Sequence, residues 1–134
     1  MFKVLGVDHI GIAVNDLDEV GKFWTEQIGI PCTGKEVVAE QKVETSFNPT
    51  PNGSEIELLA ATDPTSPIAK FIEKNGGRGG IQHIALRVDN IENAIADLMA
   101  KGVKMIDEKP RYGAGGARIA FLHPKATHGV LLEI

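Results

Sequence analysis

Two stretches of the chain, VDHIGIAV at 7–14 and IQHIALRV at 81–88, set a histidine at the same point of an apolar run. Each is followed by a polar pair and a segment of helical spacing. Laid over one another, HIGIAVNDLDEVGKFW (9–24) and HIALRVDNIENAIADL (83–98) match His9 with His83, Val14 with Val88, Asn15 with Asp89 and Leu17 with Ile91, a shift of 74 (9 to 83). Further on, IELL (56–59) resembles VLLE (130–133), and matching Glu57 with Glu133 gives a shift of 76 (57 to 133). A nearly constant shift means one unit written twice, with small length changes in the loops. The period exceeds that of solenoid repeats and there are only two copies, so a duplicated half-domain is expected rather than an open array.

Each copy reads as strand, helix, then three strands. In the first, residues 5–14 alternate as a strand, and Asp16-Leu17-Asp18-Glu19 supplies an acidic helix start with a carboxylate three residues on. Leu17, Val20, Trp24 and Ile28 follow at helical spacing, and Gly29 suits the exit. Strands near 30–40, 42–48 and 53–60 complete that copy. The second has Ile91, Ala94, Ile95 and Leu98 at helical spacing after Asp89, with Gly102 as the stop. Its strands are expected near 103–109, 116–123 and 128–134. Ser66-Pro67 reads as the cap and first turn of a short linking helix at about 66–75. That gives one domain over 1–134, with module one at about 4–62 and module two at about 80–134.

Side chains of a strand alternate between its two sides. His9, Gly11 and Ala13 therefore share one face, and Ile10, Ile12 and Val14 the other. His83 and Ala85 repeat the first set, while Glu55 and Glu57 oppose Ile56 and Leu58, and Leu131 and Glu133 oppose Val130, Leu132 and Ile134. Each copy thus has one greasy face for a helix and one face carrying a histidine or glutamate beside small residues. If the latter faces curve toward one another, two histidines and two glutamates converge. Imidazole and carboxylate suit a divalent transition metal. His123 and His128, in the turn HPKATH, are expected at the surface and are not counted as ligands.

VDHIGIAV, SPIAKFIEKNGGRGGIQHIALRVDNI and GAGGARIAFLHPKATHGVLLEI resemble the vicinal oxygen chelate superfamily, which includes glyoxalase I and the methylmalonyl-CoA epimerases. The first stretch is shared across the superfamily; the second and third together point to the epimerases. The resemblance covers nearly the whole chain. It implies an α+β fold, two βαβββ modules in tandem forming a cupped, half-open mixed β-sheet barrel with helices outside. The family's metal ligands fall on His9, Glu57, His83 and Glu133. The ion implied is cobalt, with manganese, nickel and zinc as alternatives. Some epimerases have glutamine where this chain has Glu57, and His, Glu, His, Glu is also the glyoxalase I pattern.

The activity implied is metal-dependent epimerisation of methylmalonyl-CoA at C2 through an enolate whose charge the metal stabilises. Two bases on opposite faces of C2 are the economical arrangement. Glu133 is one candidate. The second follows from the hairpin at NPTPNG: if Phe47 pairs with Ser54, Glu44 faces Glu57 and shares its side of the sheet; Glu40 is the alternative. Arg118 and Lys125 suit a carboxylate or the phosphates of CoA, and Arg78 and Lys104 are less well placed. Other readings are a glyoxalase-like isomerase acting on a thiol hemithioacetal, and a non-enzymatic binding module.

Composition narrows the setting. The 134 residues are 43% hydrophobic and 24% charged, which suffices for a core. The net charge of −4 argues against nonspecific nucleic-acid binding. One cysteine, Cys32, makes no internal disulfide and fits a reducing compartment, and neither an export signal nor a membrane-spanning run is visible. A cytoplasmic enzyme is expected, as a homodimer by family resemblance.

Overall fold

The computed structural model describes residues 1–134. Its chain divides into two compact units, one of His9–Gln82, the other of Met1–Asp8 with His83–Ile134.

In the His9–Gln82 unit, strand β1 (Val4–Ala13) enters with its second half and leads into helix α1 (Leu17–Lys22). The carboxylate of Asp16 caps that helix, accepting the N–H groups of Asp18 and Glu19 at 3.0 Å each. The helix widens into a π-type segment over Phe23–Ile28 and ends at Gly29, whose φ of 89° is left-handed and costs glycine little. Strands β2 (Gly34–Val38), β3 (Val43–Pro49) and β4 (Glu55–Ala61) form an antiparallel ladder, and β4 runs parallel to β1. One face of this sheet packs Ile12, Leu58, Ile56 and Ala60 against Leu17, Val20 and Trp24. The other face meets helix α2 (Pro67–Lys74), where Ile68, Phe71 and Ile72 cover Ala13, Val43 and Leu59. Ser66 caps α2 and Pro67 opens it, as the sequence implies; the missing N–H of proline is no loss at that position.

The register of β3 on β4 differs from the expected one. Phe47 lies opposite Glu57, and Glu44 opposite Ala60. Directly opposed residues share a face, so Glu44 points to the α1 side with Leu58 and Ala60, away from Glu57. Its surroundings agree. The ammonium of Lys35, bonded to Asp18 of α1, is held charged mainly by that carboxylate and in smaller part by Glu44. The hairpin is the source of the difference. Its closing pair is Pro49 with Glu55, so the loop is shorter than a Phe47–Ser54 pairing allows, and an odd slip turns every side chain over.

In the other unit, strand β5 (Gly80–Val88) supplies His83 onward and is followed by helix α3 (Ile91–Ala100). Asn90 caps α3, its side-chain oxygen accepting the N–H of Asn93, and corresponds to Asp16 under the repeat. The N-terminus is pinned here: Phe2 N–H donates to Asp97, Lys3 N–H to Asp89, and Asp89 N–H to the carbonyl of Lys3. Ala94, Ile95, Met105, Ala120, Leu122 and Ile134 form the core.

The three strands expected at 103–109, 116–123 and 128–134 occur only in pieces. They are β6 (Arg111–Tyr112), β7 (Arg118–Ile119), β8 (Leu132–Glu133), and single bridges of Met105 with Leu122 and of Phe121 with Glu133. At Phe121 the ladder is interrupted. Its carbonyl accepts from both Ile106 and Asp107, and its N–H donates to the Asp107 carboxylate at 2.9 Å. A side chain thus takes the place of a backbone partner, and Pro110, which has no N–H to offer, follows shortly after.

The duplication is nevertheless preserved where it counts. Glu57 of β4 lies beside Gly11 of β1 in a parallel pair, and Glu133 of β8 beside Ala85 of β5 in another. The strand order is β2-β3-β4-β1 in the His9–Gln82 unit, and β8 pairs with β5 in the other. The α+β class and the mixed sheet agree with the expectation. No helix is long and apolar enough to cross a membrane.

Candidate functional site

The parallel pairing of β1 with β4 sets His9 and Glu57 on one face, two positions apart along the strands. Gly11, the direct neighbour of Glu57, has no side chain, which leaves room for the carboxylate to lean back over the histidine. Glu57 Oε2 lies 3.2 Å from His9 Nδ1, and both residues are 6% exposed. In the other unit, the pairing of β5 with β8 repeats the arrangement, with the small Ala85 beside Glu133. Glu133 Oε1 lies 3.4 Å from His83 Nε2, again with both residues buried. Each unit therefore brings together one imidazole and one carboxylate that the sequence singled out.

Burial of charged groups needs compensation. At Glu133, removal from water is the main effect, and the nearby carboxylates of Asp8 and Asp107 add to it. The Arg111 guanidinium opposes them, and the net result pushes the carboxyl up to about 8. A buried carboxylate beside an imidazole nitrogen wants a cation, either a proton or a metal. Nitrogen and oxygen donors, bound to rigid strands, form a donor set that fits a divalent transition metal.

The other candidates are dispersed. Glu44 faces the α1 side of its sheet, and Glu40 lies in the exposed 3₁₀ turn Ala39–Gln41 that leads into β3. Arg118 pairs with Glu92 at the surface, so its charge is already answered. His123 stabilises its own turn, its Nδ1 accepting the N–H of Lys125, and His128 is exposed at a left-handed position.

The residues that the sequence reading missed are those around Glu133. Asp8 is held by Arg87, which donates to Asp8 Oδ1 from Nε at 3.2 Å and Nη2 at 2.8 Å. The rings of Phe121 and His83 meet in a T-shaped contact with centroids 5.6 Å apart, and the guanidinium carbon of Arg111 lies over Phe121, 5.5 Å from its centroid. Asp8 was visible as the residue before the histidine. Arg111 carried no signal, because the strand pattern in that part of the chain is broken.

The whole chain has close structural counterparts. The methylmalonyl-CoA epimerase of Mycobacterium tuberculosis superposes with a TM-score of 0.92 at 37% identity, covering 97% of this chain and 86% of that one. A methylmalonyl-CoA epimerase in complex with methylmalonyl-CoA and NH4+ gives a TM-score of 0.89 at 39% identity, covering 98% and 93%. In sequence, the chain is 38% identical over 128 residues to the mitochondrial methylmalonyl-CoA epimerase of Dictyostelium discoideum, covering 96% of this chain and 76% of that protein. A model of the glyoxalase/bleomycin resistance protein/dioxygenase superfamily matches residues 8–121. With that match spanning most of its length, the chain belongs to the glyoxalase/bleomycin resistance protein/dioxygenase superfamily.

Proposed function

We propose that the chain is a metal-dependent methylmalonyl-CoA epimerase in which His9, Glu57, His83 and Glu133 hold one divalent ion. The reading is carried by a duplicated, buried His–Glu pair in a chain similar over its whole length to an epimerase that binds methylmalonyl-CoA. Cobalt is the first choice of ion, with manganese, nickel and zinc as alternatives. Held by these four side chains, the ion would supply positive charge that stabilises a developing enolate.

The chain's own carboxylates move the proton. Glu133 takes the C2 hydrogen of the substrate; the C–H electron pair passes into the thioester carbonyl to give an enolate. Burial in the metal-free protein raises the proton affinity of Glu133, and a bound cation would oppose that rise, which keeps the carboxylate ionised and able to accept the proton. A second carboxylic acid returns a proton to C2 from the opposite face, and the reverse reaction exchanges the roles. Glu40 is the better candidate for that group, since the register of β3 turns Glu44 away from the face of Glu57. The reading also includes a cytoplasmic homodimer; the exposed free thiol of Cys32 suits a reducing compartment.

The test is exchange of the C2 hydrogen of methylmalonyl-CoA with deuterated solvent, followed by NMR with added metal and with a chelator. Exchange is expected with metal and is lost on chelation. Retained protium in the metal-loaded protein, with turnover of a glutathione hemithioacetal instead, would replace this reading by the glyoxalase-like one.

A further inference from the structure

Close to Glu133, within the same unit, one cation has hydrogen-bonding capacity that the protein does not use. Arg111 opens β6, and its guanidinium carbon stands 5.5 Å from the centroid of the Phe121 ring. Its Nε lies 3.2 Å from Asp107 Oδ1, yet this buried N–H is not aimed at any acceptor. Asp107 is itself fixed on both sides, its other oxygen accepting the N–H of Phe121 and its own N–H donating to the Phe121 carbonyl. Phe121 bridges to Glu133 through the backbone and meets the His83 ring edge-on. Arg111 is therefore held one aromatic ring away from the His83–Glu133 pair by a carboxylate and a stacking surface, with 39% of its side chain open to solvent.

The hairpin that carries Arg111 is tightly built. Gly113 donates its N–H to the carbonyl of Ala117 at 2.8 Å, and a Cβ on Gly113 would lie 2.8 Å from Ile119 Cδ1. A guanidinium fixed in this way, with its Nη groups unpartnered by protein, suits a planar anion.

We propose that Arg111 binds the free carboxylate of the substrate and so selects malonyl-type thioesters over acyl thioesters that lack it. This rests on the epimerase reading above. The carboxylate is attached to the carbon that Glu133 deprotonates, so it must lie within a few bonds of that residue. The phosphates of CoA sit at the far end of the pantetheine arm and do not meet this condition. Deprotonation adds negative charge next to an existing carboxylate, and a guanidinium there offsets the repulsion. Arg111 transfers no proton; it positions and neutralises.

The test compares methylmalonyl-CoA with propionyl-CoA, which differs by that carboxylate alone, on the metal-loaded full chain. Binding is measured by calorimetry and turnover by C2 exchange. Wild type should favour methylmalonyl-CoA by about tenfold or more, the usual worth of a charged hydrogen bond. In Arg111→Met the preference should fall at least about fivefold and KM should rise more than kcat falls, with propionyl-CoA affinity within about twofold of wild type. Arg111→Lys should recover part of the preference, since it restores charge without the fork. Retained propionyl-CoA binding shows that each variant is folded, and if Arg111→Met is not, Arg111→Lys alone must still lower the preference. An unchanged preference in the folded variants, or no preference in wild type, overturns the role of Arg111. Absence of C2 exchange in wild type would instead remove the epimerase reading.

Discussion

His83 Nε2 and Glu133 Oε1 lie 3.4 Å apart, each on a side chain less than a tenth exposed. Burial, with Asp8 and Asp107 nearby, pushes the Glu133 carboxyl from 4.5 up to about 8 against the opposing pull of Arg111. In metal-free protein the native state therefore keeps a proton that the unfolded chain releases between those two values. The contribution of this group to stability is complete below 4.5 and is lost as pH rises through about 8. Urea unfolding with chelator present should show this fall, and Glu133→Gln should flatten it. A metal competes for the same oxygen, so its binding at neutral pH should release a proton, read by calorimetry in buffers of different ionisation enthalpy.

Phe47 faces Glu57 across the ladder, whereas Glu44 faces Ala60 on the α1 side. Glu40→Gln should therefore slow conversion of one epimer into the other by about 10²–10⁴-fold, the range for loss of a general base or acid, while retaining bound metal and the C2 exchange that Glu133 drives from its own face. Glu44→Gln should stay within about threefold of wild type, since it removes only a partner of Lys35 at the surface. Steady-state rates with metal analysis on the same samples check both. The reverse pattern would show that the second proton-transfer group lies on β3.

Gly79 passes so close to β1 that a Cβ would lie 2.3 Å from the carbonyl oxygen of Ala13. Backbone cannot swing aside as a side chain can. Gly79→Ala should cost about 2 kcal/mol or more, whereas Gly80→Ala, whose nearest neighbour is the Asn75 side chain at 3.4 Å, should cost under about 1 kcal/mol. Denaturant midpoints of the two variants give the comparison.

Much of this architecture was legible in the residues. His9 and His83, with small residues two positions on, announced the duplication, and the side-chain period of a strand placed Glu57 and Glu133 on the faces of those histidines. Asp16 and Ser66 were readable as caps because an N-cap is a local device, decided by neighbours within three residues. The register of β3 on β4 was not readable, since it depends on how NPTPNG closes, and a one-residue change in that loop reverses a face. The broken strands after Gly102 were missed for a similar reason. Asp107 substitutes for backbone in a ladder that alternation alone would continue, and with that interruption Arg111 escaped notice.

Metal stoichiometry in single-histidine variants decides whether the two His–Glu pairs act as one centre. Purified chain, loaded with cobalt and freed of excess, is measured by elemental analysis as wild type, His9→Ala and His83→Ala. A shared centre predicts about one ion per chain in wild type and loss of that ion, together with C2 exchange, in either variant alone. Two ions per chain, or an ion retained in one variant by the surviving pair, would contradict it.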